Sequence, residues 1–188
     1  MKNLSSTKRT PYVLCLTAVD SGAGKTTLIE KLIVSLKNKG YRMGALKHSS
    51  HPVQMDWPGK DSFRSAAAGA GQVAVVSDET VAMFRTLGKP INSEQIPALF
   101  ENVDIVLVEG FKSSQYPKIE VHRACMGKSL LYPGRDALNI IAIASDERLL
   151  VDCTLLDLQD TESIAAWIAA QAEQFFRMSF ASRLELSS

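Results

Sequence analysis

A glycine-rich loop between a predicted buried strand and a predicted helix limits the folds open to this sequence more than any other segment does. The loop reads S-G-A-G-K-T-T at positions 21–27, and its second half matches the phosphate-loop pattern G-x-x-x-x-G-K-[ST]. It follows the apolar run 12–19, which is typical of a buried parallel strand. It opens the segment 25–37, where apolar residues recur at helical spacing. Val19 stands where the pattern has its first glycine.

The chemistry of such a loop predicts that it binds the phosphates of a nucleotide. Gly22 and Gly24 allow the backbone dihedrals that turn successive N–H groups inward around phosphates. The amino end of the following helix adds partial positive charge. We expect Lys25 to reach the β- and γ-phosphates and the Thr26 hydroxyl to hold Mg²⁺. The loop residues predicted to contact the nucleotide are Ser21, Gly22, Ala23, Gly24, Lys25, Thr26 and Thr27.

Strand-like and helix-like segments alternate along the rest of the chain. This alternation predicts an α/β fold: a three-layer sandwich whose mostly parallel sheet carries helices on both faces. Two strand-like runs separated by Asp78-Glu79 predict an added β-hairpin. The length of 188 residues suits one domain, with residues 1–10 and 179–188 flexible. The predicted strands are 12–19, 42–48, 73–77, 80–87, 104–108, 118–122 (half-exposed) and 139–144, and the predicted helices are 25–37, 62–69, 93–100 and 161–177.

An acidic residue at the end of a second buried strand completes the usual phosphate-loop site. Four apolar residues, 105–108, are followed by Glu109 and a glycine. Ligands of open α/β sheets bind at the carboxyl ends of the strands, so Glu109 is the candidate carboxylate for Mg²⁺ or for orienting water. Asp104, at the other end of this strand, is the poorer candidate.

A second polar block follows the strand predicted at 42–48. Its charged and titratable residues are Lys47, His48, His51, Asp56, Lys60 and Asp61. They could bind phosphate, a metal or a second substrate, and Asp56 with Gly59 imitates the D-x-x-G pattern of GTPases. Asp61 or Ser62 could instead cap the next helix. A zinc site is not favoured, because no cysteine lies near His48 and His51.

Composition excludes several classes of protein. Lys plus Arg number 21 and Asp plus Glu number 20, so the basic excess of nucleic-acid and membrane-surface binders is missing. No apolar run is long enough to span a bilayer. Three scattered cysteines form neither a disulfide framework nor a zinc motif, which favours the cytoplasm.

No N-K-x-D sequence is present to recognise guanine, and Ser145-Asp146 could approach a base or form a turn.

Six motifs in order carry a family resemblance: S-G-A-G-K-T-T (21–27), G-A-L-K-H-S (44–49), D-W-P-G-K-D-S (56–62), A-A-G-A (67–70), L-V-E-G-F-K (107–112) and I-A-S-D (143–146). Together they resemble the molybdopterin-guanine dinucleotide biosynthesis accessory proteins, the GTP-binding adaptors of molybdenum cofactor maturation. The resemblance covers residues 12–170, nearly the whole chain. The combination of K-H-[ST], P-G-K-D-S and V-E-G-F-K is far more specific than the phosphate loop alone.

The resemblance implies a P-loop GTPase-like fold, GTP and Mg²⁺ as cofactors, weak GTP hydrolysis and a homodimer. It also implies association with the molybdopterin guanylyltransferase that joins GMP to molybdopterin, with molybdopterin itself as a further candidate partner. It places Lys25 and Glu109 in catalytic roles, and Thr26, Glu109 and Asp56 in metal binding. Outside the loop 21–27, the cofactor-binding residues that it implies are Lys47, His48, Lys60 and Asp61.

Two other functions use the same loop. A small-molecule kinase would need cationic groups over the transferred phosphate, for which the sequence offers Arg64, Arg85, Arg123 and Arg135 without a paired lid motif. A nickel-delivering GTPase would normally carry a histidine- or cysteine-rich cluster, which three scattered histidines do not supply.

Overall fold

The computed structural model describes residues 9–49, 51–53, 56–134 and 139–185, with side chains as far as residue 181. These residues form two compact units, the first within Met1–His48 and Ser93–Ser188 and the second within Ser49–Asn92. The single domain expected from the sequence stays a prediction. Of the expected flexible ends, residues 1–8 and 186–188 lie outside the described residues, whereas residues 179–185 continue a helix.

Among the described residues, β-strands and α-helices alternate in the first part of the chain, as predicted, whereas no α-helix separates the last four strands. The helices are α1 (Lys25–Asn38), α2 (Asp61–Ala67) and α3 (Thr161–Glu185). The strands are β1 (Tyr12–Thr17), β2 (Met43–Lys47), β3 (Gln72–Val76), β4 (Val81–Arg85), β5 (Ile105–Glu109), β6 (Lys118–His122), β7 (Ile140–Ser145) and β8 (Thr154–Asp157).

The first unit is built on a six-stranded parallel sheet in the order β2-β5-β1-β6-β7-β8. This confirms the predicted α/β fold. Strand β1 lies inside the sheet, and all six of its residues are buried. A continuous apolar run suits this place, because both faces of a buried parallel strand need apolar side chains. The carboxyl ends of β1 and β5 lie side by side, with Leu16 in register with Glu109.

Helices α1 and α3 pack together on one face of the sheet. Leu28 and Leu32 of α1 and Ile164 and Ile168 of α3 share one hydrophobic cluster with Leu14 and its neighbours on that face. Val13 points to the opposite face, since side chains alternate along a strand. There it meets Ile96 of a 3-10 helix, Ser93–Leu99, where the sequence predicts a short helix.

A glycine in β2 allows close packing on this second face. A Cβ at Gly44 would stand 2.8 Å from the ring of Phe100 and 3.1 Å from Val103. Only a residue without a side chain lets the aromatic ring close on the strand at this distance.

The second unit contains α2 and the antiparallel pair β3–β4. The Ser77 N–H donates to the Thr80 carbonyl at 2.8 Å, which closes a tight turn around Asp78-Glu79. This confirms the predicted hairpin.

Strand β6 differs from its prediction, because all five residues are buried rather than half-exposed. It lies between β1 and β7, and its three polar side chains each find a partner there. The ammonium of Lys118 donates to the carbonyls of Ser114 and Tyr116 at 2.5 and 3.1 Å. The Glu120 carboxylate accepts the amides of residues 131 and 132, and His122 pairs with a glutamate, Glu147. Polar groups that have hydrogen-bond partners can be buried, so the alternating sequence pattern of β6 wrongly predicted that its polar side chains are exposed.

We expect Glu120→Ala to lower the free energy of unfolding by about 2 kcal/mol, measured by urea denaturation. The Glu120 side chain is only 1% exposed, and it accepts the N–H groups of Leu131 at 2.7 Å and Tyr132 at 3.1 Å. Alanine would leave both amides without this acceptor. The matched control is Glu30→Ala, since Glu30 is exposed on α1 and should shift stability by less than about 0.5 kcal/mol. Equal stabilities of the two variants would contradict the prediction.

Two elements at the end of the chain also differ from expectation. The sequence analysis missed β8, a short and mostly exposed strand without an apolar run. Helix α3 is eight residues longer than predicted. Its start agrees with the prediction, because the Asp160 carboxylate accepts the Ser163 N–H at 3.0 Å, as an N-cap does.

Candidate nucleotide-binding site

The loop between β1 and α1 has the backbone of an anion cradle. Gly22 and Gly24 have φ values of 85° and 87°, which glycine adopts without strain. Gly24 directly precedes the first residue of α1. Side chains with a Cβ are disfavoured at such dihedrals, so the two glycines are required by the turn itself.

The amino end of α1 is left open for an anion. Among the described residues, no side chain caps this end by a hydrogen bond, and the first turn carries no acid. The first helical N–H groups have no partner within the helix, and the helix dipole makes this end positive. Phosphate groups are the ligands that such an end prefers.

Lys25 folds back over the loop. Its ammonium donates to the Asp20 carbonyl at 3.1 Å. Burial lowers the pKa of Lys25, opposed mainly by the charge of Glu109, while the ammonium of Lys112 lowers it further. An additional negative charge at this place would favour the ammonium, which is the condition that a bound phosphate meets.

Thr26 and Glu109 meet at the carboxyl edge of the sheet. The Thr26 hydroxyl donates to Glu109 Oε2 at 2.8 Å, and the Lys47 ammonium lies 3.6 Å from Oε1. Lys47 is in register with Glu109 across the β2–β5 pair. The structure thus brings together Thr26 and Glu109, the two residues that the sequence predicts to bind a metal ion. Their binding of metal stays a prediction. A hydroxyl beside a carboxylate offers the hard oxygen donors that suit Mg²⁺.

His48 also lies beside Glu109. Its backbone N–H donates to the Glu109 carbonyl at 3.0 Å, and its ring stands 4.2 Å from the ring of Phe111. Phe111 has a φ of 58°, an uncommon value for a residue with a side chain. The backbone after Glu109 therefore turns sharply. His48 stays a predicted nucleotide-binding residue.

The remaining predicted residues, Asp56, Lys60 and Asp61, belong to the second unit. The Asp56 carboxylate accepts the Ser62 hydroxyl and the Trp57 N–H, and these bonds, Ser62 first, lower the pKa of Asp56. Asp61 begins α2 and lies 3.7 Å from Arg64. Lys60 precedes the helix in an extended conformation. The alternative that Asp61 or Ser62 caps α2 is wrong, because Lys60 holds the N-cap position without a side-chain hydrogen bond and Ser62 donates to Asp56. The nucleotide and metal roles of the three residues stay predictions.

Two further cations contact the loop: the sequence analysis gave Lys112 no role and named Arg123 only for the kinase alternative. The Lys112 ammonium donates to the Val19 carbonyl at 3.0 Å, and Arg123 Nε donates to the Ala23 carbonyl at 3.1 Å. Arg123 follows the last residue of β6, so the carboxyl-end rule could have found it. Lys112 lies three residues beyond the strand-end acid and carries no comparable signal.

The kinase alternative also involves three other arginines. Arg64 and Arg85 belong to the second unit, and Arg135 lies outside the described residues. Arg123 also forms an ion pair with Asp146 at 3.5 Å, and the same carboxylate accepts the Ala124 N–H at 2.9 Å. Asp146 thus joins the ends of β6 and β7, while the local turn contact comes from Ser145, whose hydroxyl accepts the Glu147 N–H at 3.0 Å. The approach of Ser145-Asp146 to a base stays a prediction.

Two features are absent from the described part of the chain. No group of three or more His, Cys, Asp or Glu side chains is arranged there to hold a metal ion. None of the helices described is long and apolar enough to cross a membrane.

Comparisons with known proteins agree on one family. Residues 13–146 match molybdopterin guanine dinucleotide synthesis protein B, MobB. The molybdopterin-guanine dinucleotide biosynthesis adapter protein of Haemophilus influenzae is 42% identical over 79% of this chain and 83% of its own. The Escherichia coli protein of the same name is 36% identical over 85% and 93%. The crystal structure of Bacillus subtilis MobB has the same fold, with a TM-score of 0.66 at 23% identity over 85% of this chain and 96% of that chain.

Proposed function

The chain belongs to the MobB family, molybdopterin guanine dinucleotide synthesis protein B, and from this premise we propose that it is a GTP-binding adapter. Its place in molybdenum cofactor biosynthesis follows from the family. The finer proposal is that it assists a molybdopterin guanylyltransferase, the nucleotidyltransferase that attaches GMP to molybdopterin. The geometry of the phosphate loop is the observation that carries nucleotide binding.

Three features of the loop support a nucleoside triphosphate as the ligand. Gly22 and Gly24 shape the cradle, the open end of α1 attracts negative charge, and Lys25 supplies a cation over the loop. Lys47 and Lys112 add positive charge beside Glu109 and Val19. These nearby positive charges can attract phosphates although the whole chain has a net charge of only +1.

We propose Mg²⁺ as the second cofactor, held by Thr26 and Glu109. Their oxygens lie 2.8 Å apart at the edge of the cradle, and oxygen donors of this kind fit the ion. Bound there, the ion would neutralise phosphate charge. The further contribution of Asp56 remains a proposal from the family resemblance.

We expect GTP hydrolysis to be slow. Arg123 is engaged by a loop carbonyl and by Asp146. P-loop GTPases without an activating partner hydrolyse GTP at about 10⁻⁴ to 10⁻² s⁻¹, and this range is expected here. In this proposal Lys25 stabilises phosphate charge and Glu109 orients water or metal.

We propose a cytoplasmic homodimer that meets the guanylyltransferase, with molybdopterin as a further ligand of the assembly. The hairpin of the second unit supports a protein–protein interface, because Val76, Val81 and Met83 are 70%, 63% and 62% exposed. Exposed apolar side chains in one small sheet are typical of contact surfaces. Sedimentation of the protein alone should give twice its mass of 20.5 kDa, and a monomer would reject the dimer.

The decisive experiment is co-purification of the chain with a molybdopterin guanylyltransferase, with and without Mg-GTP. We expect retention of the enzyme and a higher rate of molybdopterin guanylation when the chain and GTP are both present. Absence of both effects would reject the adapter function. Rapid phosphorylation of a small acceptor by the chain alone would favour the kinase alternative instead, and tight stoichiometric nickel binding would favour a metal-delivering GTPase.

A further inference from the structure

We propose that Arg123, held by Asp146, is a positioning residue that fixes the phosphate loop in its binding conformation. The inference rests on the proposed nucleotide binding and assigns a role to a residue outside the loop. Arg123 acts from the outer side of the cradle, where no phosphate needs to touch it.

The contacts of Arg123 reach across the edge of the sheet. Its Nε donates to the Ala23 carbonyl at 3.1 Å, and Nη1 stands 3.5 Å from Asp146 Oδ2. A Cβ placed on Gly24 would lie 3.1 Å from Nη2, so the guanidinium rests directly against this glycine. The side chains of Arg123 and Asp146 are 33% and 21% exposed, which leaves their pair only partly screened by water.

The peptide plane explains what this contact does. The Ala23 carbonyl and the Gly24 N–H belong to one trans peptide unit, so they point in opposite directions. When Arg123 holds the carbonyl outward, the N–H is aimed away from Arg123, toward the inside of the loop. An N–H that is already oriented does not lose conformational entropy when a phosphate arrives.

The charges around Arg123 explain how a cation can stay at this place. A cation is disfavoured at the positive amino end of a helix, and Gly24 directly precedes α1. In the free protein, the Asp146 carboxylate and the Ala23 carbonyl offset this cost. Asp146 is itself fixed by the Ala124 N–H at 2.9 Å, so the guanidinium is anchored at the ends of β6 and β7.

Lys112 forms a parallel contact at the start of the loop. Its ammonium holds the Val19 carbonyl at 3.0 Å, which turns the next N–H away from Lys112 by the same reasoning. Arg123 is the better residue to test, because the Asp146 carboxylate also holds it.

The test measures the affinity of Arg123→Ala for Mg-GDP and Mg-GTP by calorimetry. Loop amides contact the α- and β-phosphates, which both nucleotides carry, so we expect both dissociation constants to rise about tenfold. The rate of GTP hydrolysis at saturation should change less than about twofold. Unchanged affinity, or a loss confined to the hydrolysis rate, would overturn the proposal.

Two more variants test the anchoring. Asp146→Asn should weaken both nucleotides about threefold, and the double variant should bind no more weakly than Arg123→Ala alone, because the residues act as one unit. Arg123→Lys should recover only part of the affinity, since a lysine cannot hold two partners in one rigid fork. Additive effects, or full recovery by lysine, would contradict the mechanism.

Amide hydrogen exchange separates this inference from the proposed function. In the nucleotide-free protein, peptides covering residues 19–24 should exchange faster in Arg123→Ala than in the wild type. The matched control is Arg42→Ala, which removes an Arg–Asp pair with Asp104 at the opposite end of the sheet. A wild type that binds neither nucleotide would reject the proposed function, while the exchange result would still decide whether Arg123 orders the loop.

Discussion

Lys25→Ala should weaken Mg-GTP binding more than about 100-fold, which corresponds to about 2.7 kcal/mol. The ammonium lies over the loop on the Asp20 carbonyl and is the cation expected at the β- and γ-phosphates. Burial and Lys112 already hold the pKa of Lys25 below its ordinary value. Alanine would therefore remove a partly desolvated charge, whose interaction with phosphate is stronger than that of a surface lysine. Isothermal titration with Mg-GTP measures the loss.

The matched control is Lys31→Ala, because Lys31 is an exposed lysine on the same helix and should leave the affinity unchanged. The pH profile gives a second readout. As pH rises through the lowered pKa of Lys25, the ammonium is lost, so wild-type affinity should fall in a range where Lys25→Arg still binds. Binding by Lys25→Ala equal to that of the control would show that the phosphates lie elsewhere.

Glu109→Gln should remove most of the dependence of GTP binding and hydrolysis on Mg²⁺. The amide keeps the size of the side chain and can still accept the Thr26 hydroxyl, but it lacks the negative charge that a divalent cation needs. We expect at least about a tenfold loss of the Mg²⁺-dependent hydrolysis rate, measured by phosphate release across a magnesium titration.

Binding of GTP without magnesium should persist in Glu109→Gln, because the change removes a negative charge beside the phosphates. This outcome separates a metal role from a loss of folding. Glu30→Gln on the exposed side of α1 is the control and should keep the wild-type magnesium curve. An unchanged curve for Glu109→Gln would place the ion on other groups.

The local chemistry of the site was readable from the sequence, because it depends on residues that follow one another. The order of apolar strand, glycine turn, lysine and helix specifies the cradle within residues 12–38, and β1 and α1 have nearly the predicted bounds. Glu109 was found because a strand end is itself a sequence feature. The hairpin was found through its two-residue turn.

The contacts across the sheet could not be read in this way, although the end of β6 does place Arg123 at the same edge. Lys112 and Arg123 contact loop residues 93 and 100 positions away, and no periodicity links residues so distant. The burial of Lys118, Glu120 and His122 was missed because it depends on the place of β6 between β1 and β7. A charged side chain is buried or exposed according to its partners, which the pattern of one strand does not contain.

Local sequence specifies the phosphate loop, the acid at the end of β5 and most of the strands and helices, because backbone preference and hydrophobic pattern act over neighbouring residues. Tertiary contacts establish which cations surround the loop and how the Ala23 carbonyl is held. Parallel pairing brings the carboxyl ends of β1, β5, β6 and β7 to one edge, so groups from distant parts of the chain meet there. The net charge of +1 is compatible with a local group of cations around the loop, since electrostatic potential depends on where charges lie as well as on their sum.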